Sequence, residues 1–165
     1  MKRKFYMLFS ALLIFSLYAC TLSDVEFQQK IKEYVDTTPE KELKIGFQII
    51  GDETIPRQEE RIEGKRLLLK GEEAHKLCDC ILSGRFRLKR ESEKTKCASN
   101  ISLFLSGIDM EIGIVEGGET VFYTNEKGGL EEYKVFGGKK WYGEILDILH
   151  VCAAYKEYVN THPTD

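Results

Sequence analysis

The chain has 165 residues, a formal net charge of −3, 42% apolar residues and 31% charged residues. This composition fits one globular domain and excludes the collagen-like, coiled-coil and low-complexity classes. The first nineteen residues contain three basic residues and no acidic one, and the other 146 residues carry 21 basic and 27 acidic side chains, a net charge of −6. An acidic body argues against nucleic acid as a partner, because phosphate binding needs clustered lysine and arginine.

Residues 1–19 have the pattern of a secretory signal, with a basic start and an uncharged apolar run from Phe5 to Ala19. This run is shorter than the about 20 residues that a membrane-spanning helix needs. It ends in Leu17-Tyr18-Ala19-Cys20, which resembles the lipobox of bacterial lipoproteins. The resemblance implies that the signal is cleaved before Cys20, that the Cys20 sulfur carries a diacylglyceryl group, and that acyl chains anchor the protein to a membrane.

The resemblance also implies a location in the bacterial cell envelope, outside the cytoplasm. In a cell with two membranes, Thr21 after the cysteine implies the outer membrane. We therefore expect a signal peptide at 1–19, a lipidated N-terminus and helical stalk at 20–41, a single domain at 42–160 and a polar tail at 161–165.

Apolar residues spaced by three and four predict a short helix between Leu22 and Tyr34, the expected stalk. Alternation of apolar and polar residues then predicts strands at 44–50 and 61–69, joined by a loop at 51–58. Acidic residues after Gly71 predict the start of a helix over 72–82, since carboxylates stabilise the positive end of a helix.

After Gly84 the sequence alternates with a period of two for about fifty residues. The segments are separated by Gly107 and by glycine pairs, which supply the positive φ angles of tight turns. This pattern predicts an antiparallel meander of about five or six strands with one buried face. A long amphipathic helix is predicted from Lys140 to Asn160. The fold class is therefore α+β, a β-meander packed against a mid-chain helix and a long C-terminal helix.

Four cysteines remain besides Cys20, and an oxidising compartment favours disulfides. Cys78 and Cys152 lie on the apolar stripes of their predicted helices, so they can meet in the core. Cys80 points away from its stripe and can reach Cys97 in the neighbouring charged loop. The preferred pairing is therefore Cys78 with Cys152 and Cys80 with Cys97. Other pairings, free thiols and a redox-active Cys78-x-Cys80 pair remain open.

The cysteines and histidines also suggest a metal site. His75, Cys78, Cys80 and Cys97 are soft ligands suited to zinc or copper, as are His150 and Cys152. The usual C-x-x-C spacing is missing, and Cys78 and Cys80 project from opposite sides of one helical turn. We therefore expect no metal and no cofactor. The sequence also contains no recognisable nucleophile elbow, zinc-protease helix or phosphate loop, so we predict no catalytic residue.

Two surface features suggest binding. A basic segment contains Arg85, Arg87, Lys89 and Arg90, together with Lys94 and Lys96, and could contact an acidic protein or a polysaccharide. Its other interpretation is the charged face of an edge strand, where charges prevent aggregation. Phe104, Phe122 and Phe136 fall out of phase with their apolar neighbours, which places them on the outer face of the sheet. If they cluster there they form an interaction patch; a second layer of helices covering them is the alternative.

These observations lead to one functional hypothesis and one rival. The hypothesis is a lipid-anchored envelope protein that acts as a non-catalytic binding module, either a component of an envelope assembly or an inhibitor of immunity type. Its partners are the membrane, through Cys20, and an envelope protein or glycan. The rival is a small envelope enzyme or metal carrier that uses the cysteines and histidines.

Overall fold

The computed structural model describes residues 25–49, 66–94, 97–106, 108, 110–125 and 127–161. These residues form an α+β domain with one antiparallel sheet of seven strands and four α-helices, which confirms the predicted fold class with slightly more strands. The helices are α1 (Glu26–Thr37), α2 (Glu72–Ser83), α3 (Gly138–Val151) and α4 (Ala153–Thr161), and short 3-10 helices lie at Glu40–Glu42, Glu91–Glu93 and Glu116–Gly118. The strands are β1 (Lys44–Ile49), β2 (Leu67–Lys70), β3 (Arg85–Leu88), β4 (Ile101–Leu105), β5 (Met110–Ile114), β6 (Thr120–Thr124) and β7 (Leu130–Phe136).

Some predictions fall outside the described residues. These are the lipobox with Cys20, the loop at 51–58, the first part of the strand predicted at 61–69, and nearly all of the polar tail. Within the described residues, no helix has the length and apolar content needed to cross a membrane.

The strands are ordered β2-β1-β4-β5-β6-β7-β3 across the sheet. Strands β4 to β7 are the predicted meander, because each pairs with the next along the chain. The basic strand β3 does not join this meander next to β4. It pairs with β7 at the far edge, with Arg85 opposite Phe136 and Leu88 opposite Tyr133. The sequence therefore predicted the strand itself but not its position.

Strand β3 reaches the far edge because the chain crosses the sheet twice. Helix α2 connects β2 at one edge with β3 at the other edge, on the face that packs against the helices. The next segment, 89–100, leads to β4, and its described residues, 89–94 and 97–100, include Lys89 and Ser99, which contact the opposite face. We call the face under the helices the inner face and the opposite face the outer face.

The inner face holds the hydrophobic core, and every second strand residue contributes to it as the pleat requires. Cross-strand neighbours such as Ile45, Leu105 and Met110, or Phe47, Leu103 and Ile112, form continuous buried rows. The helices cover these rows with their own apolar stripes, for example Leu77, Ile81, Ile145 and Leu149. The predicted alternation therefore marks the side of the sheet that the helices cover.

Helix α1 belongs to this core, which corrects its prediction as part of a stalk. Phe27 is fully buried, and its ring centroid lies 4.9 Å from that of Phe86 and 5.2 Å from that of Tyr133. The buried Gln28 side chain donates hydrogen bonds to the carbonyl oxygens of Leu82 and Gly84 at the end of α2. The stripe that suggested an exposed helix is thus the face that packs on the domain.

The C-terminal helix is interrupted, whereas the sequence predicted one continuous helix over 140–160. Cys152 adopts an extended conformation, with φ −64° and ψ 153°, and separates α3 from α4. Its Sγ accepts a hydrogen bond from the Tyr155 backbone N–H, and a Glu73 carboxylate oxygen accepts one from the Ala153 N–H at 3.0 Å. Both contacts satisfy N–H groups that the start of α4 leaves without helical partners.

Candidate functional site: a groove on the outer face of the sheet

The outer face carries the three phenylalanines that the sequence placed there, but they do not form one patch. Phe104 on β4 lies opposite Gly46 and Glu111. Phe122 on β6 lies two strands away, and neighbouring strands are about 4.8 Å apart. Phe136 on β7 lies near the edge, opposite Arg85, and is 47% exposed.

Two neighbouring cavities with shared lining residues form a groove on the outer face, and we call it the outer groove. The larger cavity opens at the end of the sheet, because the inner-face residues Leu105, Met110 and Tyr123 and Lys30 of α1 also line it. The larger has a volume of about 820 Å³ and contains Phe104, and the smaller has about 310 Å³ and contains Phe122. They share Glu111 and Thr124, so the groove runs across β4, β5 and β6 to β7. Three strand spacings make this about 15 Å, which matches four or five residues of an extended peptide.

The floor of the larger cavity is a stacked pair of side chains. The central carbon of the Arg66 guanidinium lies 3.6 Å from the centroid of the Phe104 ring. Arg66 precedes β2, and β1 lies between β2 and β4, so its side chain must cross β1 to reach Phe104. Gly46 lies opposite Phe104 on β1 and has no side chain to block the way. A guanidinium over the face of an aromatic ring is attracted by the ring, and its planar fork can still bind a carboxylate.

The smaller cavity lies beside the segment 89–100 where this segment crosses the sheet. A β-carbon on Gly113 would lie 2.9 Å from the Ser99 β-carbon, so only glycine allows this close approach. Cys97 and Ser99 form the wall, and Phe122 and the 59% exposed Leu130 contribute apolar surface. This part of the groove can therefore accept an apolar side chain next to polar backbone.

The side chains of the basic segment have different environments in the folded protein. Arg85 and Arg90 are exposed, whereas the Arg87 guanidinium forms two hydrogen bonds with the Glu93 carboxylate at 3.0 and 2.9 Å. The Arg87 hydrogen bonds lower the pKa of Glu93 to about 2. Lys89 is buried, where its Nζ lies 3.5 Å from a Glu132 carboxylate oxygen and donates to the Thr120 hydroxyl. The residues predicted to bind together therefore face different partners, and β3 is indeed an edge strand.

The four described cysteines form no disulfide, contrary to the preferred pairing. Cys80 lies on α2, on the inner side, and its carbonyl accepts a hydrogen bond from the Trp141 indole N–H. Cys97 lies in the outer groove. Cys80 and Cys97 thus lie on different sides of the sheet. Cys78 and Cys152 are both buried among the helices, as the stripes predicted, without being bonded.

The buried thiols are poor nucleophiles at neutral pH. Burial, with a smaller contribution from Asp79, raises the pKa of Cys78 to about 12. Burial and the nearby Glu144 raise the pKa of Cys80 to about 11, and burial also raises the pKa of Cys152. Since the thiolate is the reactive form, only a small fraction of these thiols is reactive at neutral pH.

The histidines His75 and His150 lie next to carboxylates and an aromatic ring, respectively. His75 lies 3.8 Å from a Glu40 oxygen and 3.7 Å from an Asp79 oxygen on the surface of α2. The His150 ring packs against Tyr155, with ring centroids 4.8 Å apart. Over the described part of the chain, no group of three or more His, Cys, Asp or Glu side chains is placed to hold a metal ion.

Sequence reasoning missed Arg66, Gly46 and Glu111. Within 61–69, the alternation puts Arg66 and Leu68 on one side of the strand and the buried Leu69 on the other. This is the signal that could have placed Arg66 on the outer face. It cannot show that β1 lies between β2 and β4, because that order depends on pairing between residues more than 50 positions apart. Comparisons with protein-family models, with curated proteins and with solved structures gave no match to this chain.

Proposed function

We propose that this chain is a lipid-anchored bacterial envelope protein whose domain is a non-catalytic binding module, and that the outer groove is its binding surface. The observation that carries the proposal is the groove itself: the helices of the described residues pack on the inner face, and the outer face has a concavity with an aromatic-arginine contact. Arginine and aromatic residues are the types that dominate binding energy at interfaces.

Two further observations support this function over an enzyme or metal carrier. The lipobox resemblance of Leu17-Tyr18-Ala19-Cys20 favours an anchored protein, and the resulting location favours a partner in the same envelope. The raised pKa values of the Cys78 and Cys80 thiols disfavour the chemistry that the rival hypothesis requires.

The anchor is tested in cells with the full-length chain and a Cys20→Ala variant. We expect the parent protein to incorporate labelled palmitate and to sediment with membranes, and the variant to do neither. Sedimentation of both proteins without label would contradict lipidation at Cys20.

The binding surface is tested by photo-crosslinking in the same cells. A benzoylphenylalanine at Leu130, in the groove, should give one reproducible crosslinked product. The control position is Lys140 on α3, whose side chain is 88% exposed on the helical side. Equal crosslinking from both positions, or crosslinking from Lys140 alone, would contradict the groove as the binding surface.

A further inference from the structure

We infer that the outer groove binds an extended acidic segment of a partner protein, and that the stacked Arg66 guanidinium receives a carboxylate of that segment. This inference names the partner chemistry of the proposed binding module and rests on that proposed function.

The first argument is charge. The larger cavity contains Lys30 and Arg66 against the single carboxylate of Glu111. On the adjoining edge of the outer face, the exposed Lys44 and Lys70 lie directly opposite each other on β1 and β2. Like charges placed opposite each other across two strands are destabilising. This end of the sheet is therefore basic within a body whose net charge is −6 after residues 1–19.

The second argument concerns Arg66, Lys44 and Lys70 and their neighbours in the part of the chain that the structure describes. Among the described residues, no carboxylate lies within 4.0 Å of the Arg66 guanidinium or of the Lys44 and Lys70 ammonium groups. At the β3 end, Arg87 is bound by Glu93 and Lys89 by Glu132, whereas the exposed Arg85 has no carboxylate within 4.0 Å among the described residues. Because Arg66, Lys44 and Lys70 lie close together in the sheet, charge complementarity favours an anionic ligand at the Arg66 end.

The third argument is the geometry of the stack. The central carbon of the Arg66 guanidinium lies 3.6 Å from the centroid of the Phe104 ring, and this contact favours that position of the side chain before a ligand arrives. A planar guanidinium with its fork exposed matches the two oxygens of a carboxylate, and little side-chain entropy is lost when they bind.

The fourth argument favours a polypeptide over another polyanion. Beyond Glu111 the groove continues to the half-buried Phe122 and the exposed Leu130, a surface suited to an apolar side chain. An occupant that presents a carboxylate at one end and apolar side chains about 10 to 15 Å away is an extended peptide of four or five residues. A uniformly charged polysaccharide would leave this apolar end without a matching group.

The test uses the full-length protein in detergent and a fluorescent, end-capped octapeptide with glutamates in its first half and leucine and phenylalanine in its second. We expect saturable binding by fluorescence anisotropy. A peptide with glutamine in place of glutamate should bind at least about tenfold more weakly, because the charge-assisted hydrogen bonds are lost.

Variants then locate the carboxylate. Arg66→Gln should weaken binding of the glutamate peptide at least about tenfold and leave the glutamine peptide unaffected. Arg66→Lys keeps the charge without the planar fork and should give an intermediate loss. The matched control is Arg85→Gln, which removes an exposed outer-face arginine at the opposite edge and should change affinity by less than about twofold. Equal thermal unfolding of the variants would show that the fold is intact.

Three outcomes would overturn the inference: equal affinity for the two peptides, equal losses from Arg66→Gln and Arg85→Gln, or tight binding of polygalacturonate in place of the acidic peptide. Its failure is distinguishable from failure of the proposed function. If crosslinking from Leu130 persists while the acidic peptide shows no dependence on Arg66, the groove binds a partner of different chemistry. If the Leu130 crosslink is absent as well, the binding function itself is wrong.

Discussion

Lys89 and Glu132 form a buried ion pair on the outer face, where the segment 89–100 leaves β3. Their side chains are 8% and 7% exposed, and the Thr120 hydroxyl accepts a hydrogen bond from the Lys89 ammonium at 2.8 Å. A buried pair of this kind adds little stability compared with apolar residues of the same size, but removing one partner leaves a buried charge. The ion pair therefore holds the first residue of the segment 89–100 against the outer face of the sheet.

We predict that Glu132→Leu lowers the free energy of unfolding by about 3–5 kcal/mol, because it leaves the Lys89 charge without its carboxylate. The double variant Lys89→Met/Glu132→Leu should recover most of this loss. Urea denaturation of the two variants measures the difference. The control is Lys76→Ala, which breaks the exposed pair with Glu72 and should leave stability close to unchanged. A double variant as unstable as the single one would contradict the argument.

The cysteines differ in reactivity for reasons that can be measured. Cys97 is exposed, whereas Cys78 is fully buried and the pKa of Cys80 is raised to about 11 by burial and Glu144. A raised pKa means that less thiolate is present at a given pH, and thiolate is the form that alkylates.

We predict that iodoacetamide at pH 8 labels the exposed Cys97 at least about tenfold faster than Cys80, because a pKa of about 11 leaves only about a thousandth of the Cys80 thiol as thiolate at this pH. The Cys80 rate should rise about tenfold per pH unit from 8 to 10, because the pKa lies above this interval. Mass spectrometry of the separate peptides measures each rate, and urea should abolish the difference. Non-reducing mapping that shows Cys97 joined to Cys80 would contradict the structure.

At the scale of elements, the packing of α1 shows that the folded domain includes this helix. Its Phe27 ring packs among aromatic rings from β3, β6 and β7. We predict that Phe27→Ala lowers the free energy of unfolding by about 3–5 kcal/mol, whereas Lys32→Ala on the exposed side of α1 leaves it nearly unchanged. Thermal or urea unfolding distinguishes them. If Phe27→Ala costs no more than Lys32→Ala, α1 is a stalk after all.

A second contact between elements lies where the β5–β6 turn meets the start of α3. Gly117 and Gly118 both have positive φ, +77° and +69°. Among the described residues, a β-carbon on Gly117 would meet no atom within 4 Å, but one on Gly118 would clash with the Gly138 carbonyl oxygen. An alanine at either position would therefore have the same unfavourable backbone conformation, but only at Gly118 would its side chain also clash with the start of α3.

We predict that Gly117→Ala costs about 1 kcal/mol of stability, from the left-handed conformation alone. Gly118→Ala should cost at least twice as much, because the backbone of α3 must also move. Circular dichroism during thermal unfolding measures both melting temperatures. Equal decreases would show that the turn and the helix adjust freely to each other.

The elements themselves were largely readable from the sequence. Alternation located β1 and β3 to β7, and the apolar stripe with its acidic start located α2, because each pattern depends on neighbours within a few residues. The break at Cys152 was not readable, since it depends on Glu73 reaching the start of α4 from 80 residues away. The Arg66–Phe104 stack was missed for the same reason: it needs the order of β2, β1 and β4.

On the scale of the whole molecule, the meander β4–β7 lies between two crossings of the chain. Helix α2 passes over its inner face and the segment 89–100 over its outer face. The inner crossing completes the core, and Cys97 and Ser99 of the outer crossing form one wall of the groove. The groove is thus a consequence of how β3 reaches the far edge.

This topology also predicts the order of folding. The meander strands are joined by connections of four or five residues, whereas β1 pairs Ile49 with Ile101 and β3 pairs Arg85 with Phe136. Closing short loops costs less entropy than closing long ones, and non-local pairing slows folding to milliseconds or seconds. We therefore expect the meander to form in the transition state and the edge strands to join later.

Two fully or nearly fully buried positions test this order. Ile112→Ala, in the centre of the meander, should slow folding with a φ-value above about 0.5, and Leu69→Ala, on the edge strand β2, should mainly accelerate unfolding with a φ-value below about 0.3. Both variants should lose about 2–5 kcal/mol of stability, which is enough for reliable φ-values. Stopped-flow folding and unfolding in urea gives both rates. A higher φ-value for Leu69 than for Ile112 would mean that the long-range pairing of the edge precedes the meander, and that local connections do not determine how this sheet assembles.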